Sequence, residues 1–228
     1  MPSAFVPDKG ISRGLVEQIA WCNGEPDWMT KIRLRSLRSF DEQPMAESLV
    51  ANMPDIDFQD ICHFPGPEGV RTAGRNELPK AESESEVIDR KHRDDLNKQG
   101  VLFCDMDTAL FEYPQLFKQY FGTIISAGDN KFAALNTAVW SGGSFIYVPP
   151  GVEVEMPLQT YFQNSSESAG QFDRTLIIAD EGSKVHYIEG CSAPVYTKDP
   201  LHSAVAEIVV KPNAHVTYTT IQNWSPNV

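Results

Sequence analysis

Hydrophobic and polar residues alternate in short runs through the second half of the chain. Turn-forming residues separate the runs at 149–151, 180–182 and 211–213, and no helix-length segment stands out between the runs. Such alternation between turns is typical of β-strands that bury one face. The runs that predict strands are Phe145–Val148, Val152–Met156, Gln159–Phe162, Arg174–Ala179, Lys184–Glu189, Ala204–Val210 and His215–Gln222.

Part of this pattern is an internal sequence repeat. Residues 178–191 match residues 209–222 with an offset of 31, and Val148–Val154 is a looser copy one step earlier. A fixed period of roughly 20–50 residues is typical of a solenoid, whereas a sandwich or a barrel gives no reason for a repeat. We therefore predict a β-solenoid, in which residues one period apart stack at a spacing of about 4.8 Å. That stacking places Cys191 beside Gln222.

The same alternation assigns the faces of the last two predicted strands. Successive side chains of a strand point to opposite sides, and the set that includes Cys191 is mostly apolar, so it should face the interior of the coil. A bulge at Gly190 is the alternative, and it would turn Cys191 outward. The interior set is Val185, Tyr187, Glu189 and Cys191 on one coil and Val216, Tyr218, Thr220, Gln222 and Trp224 on the next.

The N-terminal part of the chain has a helical pattern. Residues 11–43 predict two helices, the first capped by Ser12 and the second beginning at Pro26. One side of the second helix is basic, which predicts a solvated face, or one docked on an acidic partner, rather than a nucleic-acid patch. The basic residues are Lys31, Arg33, Arg35 and Arg38.

Residues 44–106 combine loops with short elements. The composition of residues 44–84 predicts a loop-rich linker. Residues 85–99 predict a charged surface helix that ends at Gly100. The run Val101–Met106 then predicts a short strand.

A further helix is predicted from Thr108 to Tyr120, capped by Asp107 and interrupted by Pro114. This helix closes the first of two predicted regions. We place a helical N-terminal region at 1–122 and an incomplete parallel β-helix at 123–228, so that the fold class is mainly β with helices at the N-terminal end.

Composition limits the partners and the compartment. The 228-residue chain has a formal net charge of −12 and a pI near 4.8, which disfavours nucleic acid as a partner. We expect no membrane helix, because no apolar run approaches about 18 residues, and no secretory signal. The cysteines form no C-x-x-C pair, so we predict reduced thiols in the cytoplasm. They are Cys22, Cys62, Cys104 and Cys191.

Candidate chemistry centres on Cys191, with Glu189, Gln222 and Trp224 near it in the predicted coils. A thiol in a polar channel can carry sulfur or give iron or zinc a soft ligand. A lone cysteine cannot hold an iron–sulfur cluster, which usually takes four ligands, so any cluster would be transient or shared with other chains. The alternative is a structural cysteine packed on Trp224, and the residues alone favour it.

Two other metal hypotheses arise from the sequence. His202 is the best ligand candidate among the histidines, because His186 and His215 have the parity opposite to Cys191; an ordinary turn histidine is the alternative. The segment 148–152 is similar to the opening of a cupin metal motif, but the histidines that should follow are absent. A cupin metalloenzyme is therefore disfavoured, whereas a metal-free double-sheet binding module stays open.

A series of longer motifs runs in order along nearly the whole chain. They are Gly24–Met29, Phe103–Ala109, Gly128–Asn136, Val139–Pro149, Gly170–Thr175, Tyr187–Pro194, Leu201–Ala204 and Gln222–Trp224. Together they resemble SufB, the scaffold-subunit family of the SUF iron–sulfur assembly system. The resemblance implies a right-handed parallel β-helix, a role in assembly rather than as an enzyme, and a transient cluster of the [4Fe-4S] type. It also implies a complex with the paralogue SufD and the ATPase SufC, with sulfur supplied by SufS and SufE or SufU.

The resemblance also assigns roles to single residues. Cys191 matches the family cysteine that accepts sulfur, and it is also the candidate ligand for a shared or transient metal or cluster. Gln222 and Trp224 match residues that line a tunnel towards the cluster site. At two other tunnel positions the chain departs from the family, because Gln163 stands in place of an arginine and Ser165 in place of an asparagine.

A larger departure is length, since the family chain is about twice as long. We expect the further coils and the regions that contact SufC and SufD to be missing after Val228, and residues 65–85 look shortened. The chain would then be a fragment, a split subunit or a decayed paralogue whose last coil needs a cap or a partner. A structural or interaction protein built on a β-solenoid is the alternative function.

Overall fold

The computed structural model describes residues 9–45, 56–64, 72–73, 95–163, 170–192 and 201–223. Within these residues the helices are α1 (Arg13–Cys22), α2 (Asp27–Glu42), α3 (Met106–Glu112), α4 (Pro114–Tyr120) and α5 (Lys131–Val139). The strands are β1 (Thr72–Ala73), β2 (Leu102–Asp105), β3 (Ser144–Val148), β4 (Leu158–Gln163), β5 (Arg174–Ala179), β6 (Lys184–Ser192), β7 (Val205–Val210) and β8 (His215–Asn223).

The strands form two four-stranded sheets. One has the order β1-β4-β6-β8 and the other β2-β3-β5-β7, so from β3 onward successive strands alternate between the sheets. Within each sheet, β3 to β8 pair in parallel with the strand two places along the chain. The short strands β1 and β2 pair antiparallel with β4 and β3 at one edge of each sheet.

The register of the parallel pairs confirms the predicted stacking. Residues of β3, β5 and β6 pair with residues 31 positions further on, as in Arg174 with Val205 and Cys191 with Gln222. The β4–β6 pair has a shorter period, with Leu158 opposite Tyr187. Of the predicted strands, 152–156 forms only an isolated bridge from Glu153 to Lys184. The right-handed parallel β-helix and the boundary at residue 122 stay predictions.

Three apolar clusters hold the layers together. The first packs α1, α2 and α5 on one another. The second packs α2, α3 and α4 on one face of the β2-β3-β5-β7 sheet, with Trp140, Phe145 and Leu176 at its centre. The third lies between the two sheets, where Ile146 and Ile177 meet Val185 and Tyr187. The β2-β3-β5-β7 sheet is therefore covered on both faces.

The helix starts follow their caps, with one correction. Ser12 caps α1 as predicted, since its hydroxyl oxygen accepts from the Leu15 N–H at 3.2 Å. Asp107 is not the cap of α3, because the helix begins at Met106 and the carboxylate of Asp105 accepts from the Thr108 N–H at 2.7 Å. Strand β2 runs directly into this helix, so its last residue is the one placed to cap it. The predicted interruption at Pro114 is confirmed.

Helix α5 lies where the sequence pattern predicted no helix. Residues 133–139 of this helix are all buried, so it has no solvated side. A helix that is covered all round lacks the amphipathic period from which helices are recognised. Asn130 begins it, because its side-chain oxygen accepts from the Ala133 N–H at 2.9 Å.

Arg33 contradicts the predicted basic face of α2. Lys31, Arg35 and Arg38 are exposed, but Arg33 is fully buried. Its guanidinium pairs with Glu25 at 2.6 Å, and it donates to the carbonyl oxygens of Ala138 and Trp140 at 3.1 and 3.0 Å. Because α2 packs against α5, this one position faces a neighbouring helix rather than solvent. Arg33 is therefore a structural cation that ties α2 to the end of α5.

A second buried ion pair joins the helical layer to the sheet. The side chains of Arg174 and Glu207, on neighbouring strands β5 and β7, have no exposed area and lie 2.6 Å apart. Glu207 also accepts from the backbone N–H groups of Gly122, Ile124 and Ile125 at 2.9–3.1 Å. The chain segment that follows α4 is thereby held against the sheet.

Several predictions concern residues outside the described ranges. These include nearly all of the 44–84 linker and of the 85–99 helix, Ser165, the Gln163 side chain and Trp224. In the described part of the chain, no helix is long and apolar enough to cross a membrane.

Replacing Glu207 by glutamine should strongly destabilise the fold. The substitution leaves Arg174 as an uncompensated buried cation, and breaking a buried pair costs about 3–5 kcal/mol. The matched control is Glu153→Gln, which removes an exposed pair with Lys184 (side chains 60% and 57% exposed) and should cost less than about 1 kcal/mol. Urea unfolding measures both changes. Equal losses in the two variants would contradict the structural role of the buried pair.

Candidate functional site

Cys191 lies on the interior face of β6. Val185, Tyr187, Glu189 and Cys191 alternate along this face and are all buried, which confirms the predicted parity. The pairing of β6 with both neighbours is continuous through Gly190, so there is no bulge and Cys191 is not turned outward. A Cβ at Gly190 would lie 2.6 Å from the ring of Tyr161 on β4. Glycine at this position lets that ring pack against the strand.

Cys191 is paired with Gln222, as the repeat predicted. In the sheet it stands between Phe162 of β4 and Gln222 of β8. The side chain of Gln222 hydrogen-bonds the thiol and favours its ionised form. Gln222 is itself exposed, because β8 is the outermost described strand of its sheet.

Asp173 and His202 join Cys191 in the space between the sheets. The nearest ligand atoms of the three side chains lie within 4.8 Å of one another. Nε2 of His202 is 3.2 Å from Oδ2 of Asp173, and Asp173 and Cys191 are both buried. His202 was the best histidine candidate from sequence, whereas Asp173 was missed. The histidines of opposite parity do lie elsewhere, since His215 is exposed and His186 hydrogen-bonds Thr219.

The repeat contained a signal for Asp173. His202 pairs with Gln171 in an isolated parallel bridge with the same offset of 31, although the sequence match began only at residue 178. Extending the 31-residue register towards the N-terminus pairs His202 with Gln171. Asp173 is two residues beyond Gln171, so the register alone would have placed it near His202. The position of both residues is thus a consequence of the same stacking that aligns Cys191 with Gln222.

The backbone beneath Asp173 and His202 is held from two sides. The N–H of Gln171 donates to the Leu201 carbonyl, and the N–H of Ser203 donates to the Gln171 carbonyl, both at 2.9 Å. From α5, the amide group of Asn136 donates to the carbonyl oxygens of Asp173 and Ser203 at 2.9 and 2.8 Å. The two segments therefore keep a fixed separation.

Glu189 is the second carboxyl group of the site and is surrounded by hydroxyls. Thr175 donates to it at 2.7 Å, Tyr218 at 3.0 Å and Tyr187 at 3.3 Å. Burial raises the pKa of Glu189, and these hydroxyl donors oppose that shift. The Tyr187 hydroxyl also lies 2.8 Å from Ser144 Oγ on the facing sheet. A polar layer thus crosses the space between the sheets next to Cys191.

The same surroundings keep the Cys191 thiol protonated. Burial, followed by the negative charges of Asp173 and Glu189, raises its pKa to about 12. A thiol is a nucleophile or a metal ligand only as the thiolate. Cys191 is therefore held as the thiol, and it must lose its proton to a base or a metal ion before it can react.

Two family models match the chain. The SufBD protein N-terminal region matches residues 84–160, and the core domain described as "SUF system FeS cluster assembly, SufBD core domain" matches residues 161–228. The first ends within β4, and the second contains Asp173, Cys191 and His202. The chain belongs to the SufBD family of iron–sulfur cluster assembly proteins, which confirms the family resemblance of the motifs.

Curated relatives carry the same family name. The iron–sulfur cluster assembly SufBD family proteins of Staphylococcus aureus strains MRSA252 and USA300, and of Staphylococcus saprophyticus, are each 46% identical over 249 aligned residues. Each alignment covers 99% of this chain and 53% of the relative. The chain thus spans about half the length of the curated relatives it matches.

Cys191 should resist alkylation while the protein is folded. Its pKa of about 12 and its burial predict a rate with iodoacetamide at pH 8 at least about a hundredfold below that in urea. Cys22, which is only half-buried, is the internal control and should react first. Mass spectrometry of peptides from a time course measures both rates. Equal rates for Cys22 and Cys191 in the folded protein would contradict the protonated, enclosed thiol.

Proposed function

We propose that this chain is a SufB-type scaffold component of iron–sulfur cluster assembly, and that Cys191 accepts sulfur within it. The observation that carries the proposal is the placement of Cys191 on the interior face of β6, against Asp173 and His202, in a chain of the SufBD family. The choice of SufB over SufD rests on the motif Tyr187–Pro194, which contains the cysteine. A structural thiol needs no acid–base partners, whereas a sulfur acceptor does.

The proposed chemistry is transfer of sulfane sulfur between two cysteines. The sulfur of Cys191 attacks the terminal sulfur of a persulfide on the donor protein. A new S–S bond forms at Cys191, the donor's S–S bond breaks, and the donor leaves as a thiolate, so there is no net oxidation. The proton of the Cys191 thiol passes to His202, a ring nitrogen of which lies within 4.8 Å, while Asp173 stabilises the resulting imidazolium.

The proposed role of the fold is to enclose this step. We propose that the two sheets are walls of a right-handed parallel β-helix and that Glu189, Gln222 and Trp224 line a passage along its interior. The hydroxyl layer around Glu189 supports a polar passage rather than a dry core. We place the protein in the cytoplasm as an assembly subunit rather than an enzyme.

Partner chains are needed because the proposed site offers only one cysteine. One cysteine cannot hold a cluster, so a transient [4Fe-4S] cluster would need ligands from other chains. Within the SUF machinery we propose a SufC-like ATPase and a SufD-like paralogue as partners, with SufS and SufE or SufU as sulfur donors. Gln163 and Ser165, which depart from the family pattern, are proposed to alter the passage rather than the acceptor.

Persulfide mapping tests the proposal directly. The purified chain is incubated with a cysteine desulfurase relay and cysteine, and trapped persulfides are located by mass spectrometry. We expect modification at Cys191, its loss in Cys191→Ser, and its retention in the matched control Cys104→Ser. Cys104 packs against the second apolar cluster, on the face of the β2-β3-β5-β7 sheet that the helices cover, away from the site. Persulfide on Cys62 or Cys104 but not on Cys191 would contradict the mechanism.

Complementation separates this function from a structural one. A purely structural β-solenoid would let Cys191→Ser support growth of cluster-assembly-deficient cells as well as the unmodified gene does. We expect the variant to fail, with the protein present at normal levels because a buried cysteine tolerates serine at modest cost. Growth of the variant at the unmodified level would favour the structural alternative.

A further inference from the structure

Three different metal-ligand atoms converge between the sheets. A carboxylate oxygen of Asp173, the sulfur of Cys191 and an imidazole nitrogen of His202 lie within 4.8 Å of one another. We propose that these three residues form a mononuclear site for a divalent transition metal of the zinc and ferrous-iron class. The site goes beyond sulfur acceptance and does not depend on it, since metal binding requires neither a persulfide donor nor a cluster.

The angle between two of the ligands fits a tetrahedral ion. Zinc binds imidazole nitrogen and carboxylate oxygen at about 2.0–2.1 Å. At those bond lengths, Nε2 of His202 and Oδ2 of Asp173, which are 3.2 Å apart, would subtend about 100° at the metal. A tetrahedral site also needs the Cys191 sulfur about 3.5 Å from each of them. The observed separations are at most 4.8 Å, so each distance to the sulfur must shorten by no more than about 1.3 Å.

The donor set selects the class of metal. Magnesium and calcium prefer all-oxygen sites, whereas thiolate and imidazole suit zinc and iron. Three protein ligands leave the fourth tetrahedral position for water or for an incoming group, as in catalytic rather than structural zinc sites. The arrangement therefore describes an open site rather than a closed structural one.

The residues around the ligands support a cation. Asp173 and Glu189 are both buried beside the thiol, so a dication bound here would lie against two acidic side chains and favour their ionised forms. Gln171 donates to Oδ2 of Asp173 at 2.5 Å, and Asn136 holds the backbone on both sides of the pair. Partners of this kind orient metal ligands and raise affinity.

Cobalt titration of the purified, metal-stripped 228-residue chain tests the site. Cobalt(II) replaces zinc and reports a bound thiolate by a near-ultraviolet charge-transfer band. We expect one cobalt per chain with that band, displacement by zinc, and no displacement by magnesium. Anaerobic ferrous iron should displace cobalt only in excess, because a site of nitrogen, oxygen and sulfur ligands binds Fe²⁺ more weakly than Co²⁺.

Matched variants assign the band to the three residues. Cys191→Ser should abolish it, and Asp173→Asn and His202→Gln should weaken cobalt binding at least about tenfold; glutamine keeps a donor for Asp173, so the fold is retained. Cys104→Ser and His215→Gln are the controls and should bind as the unmodified chain does. Thermal melting of each variant identifies any that fails to fold, and the remaining ligand variants then decide the result.

Two outcomes would overturn the site. One is no cobalt band in the unmodified chain, and the other is a band that survives Cys191→Ser or is lost equally in His215→Gln, which would mean adventitious binding only. Because no desulfurase is present, a negative result leaves persulfide formation at Cys191 untouched. Conversely, a chain that binds cobalt but takes up no sulfur would retain the metal site and lose the proposed function.

Discussion

The 31-residue register that three of the four parallel strand pairs share is the constraint on which the rest of the structure depends. It sets Cys191 against Gln222, His202 against Gln171 and Arg174 against Val205. A slip of one residue would turn every side chain of β6 to the opposite face and move Cys191 away from Asp173. The apolar half of the interior face, where Val185 and Tyr187 pack against the facing sheet, fixes that register. The same register then fixes the positions of Glu189 and Cys191, the polar half of that face.

The helical layer carries this constraint to the site. Arg174, held by Glu207, also donates to the side-chain oxygen of Asn136 at 3.3 Å and to Thr137 at 2.9 Å. With its oxygen engaged in this way, the Asn136 amide must direct its N–H groups towards the carbonyls of Asp173 and Ser203. One hydrogen-bonded chain therefore links the buried ion pair to the backbone beneath Asp173 and His202. The ion pair is a positioning device for the site as well as a structural bond.

The features that could be predicted from the sequence are those set by the 31-residue period and by the alternation of side chains along each strand. The stacking of Cys191 on Gln222 and the burial of Glu189 follow from period and parity, and both are confirmed. The rest depends on contacts between segments far apart in the chain. Asp173 meets Cys191 across the two sheets, and Arg33 is buried only because α2 packs on α5. Neither contact can be predicted from the residues adjacent in the sequence. Helix α5 was not predicted because its buried residues give it no amphipathic pattern.

The buried carboxylates give the site two opposite effects on one thiol. By their charge they raise the pKa of Cys191, which protects it from oxidants and alkylating agents that act on thiolates. The same charge attracts any cation that reaches the interior, and a bound metal displaces the thiol proton. A thiol on an open surface would be reactive towards every electrophile. Enclosed between the sheets, Cys191 would act as a nucleophile only after His202 removes its proton in the proposed transfer, and as a ligand only in the proposed metal site. Selectivity here thus comes from suppressing the resting reactivity of the sulfur.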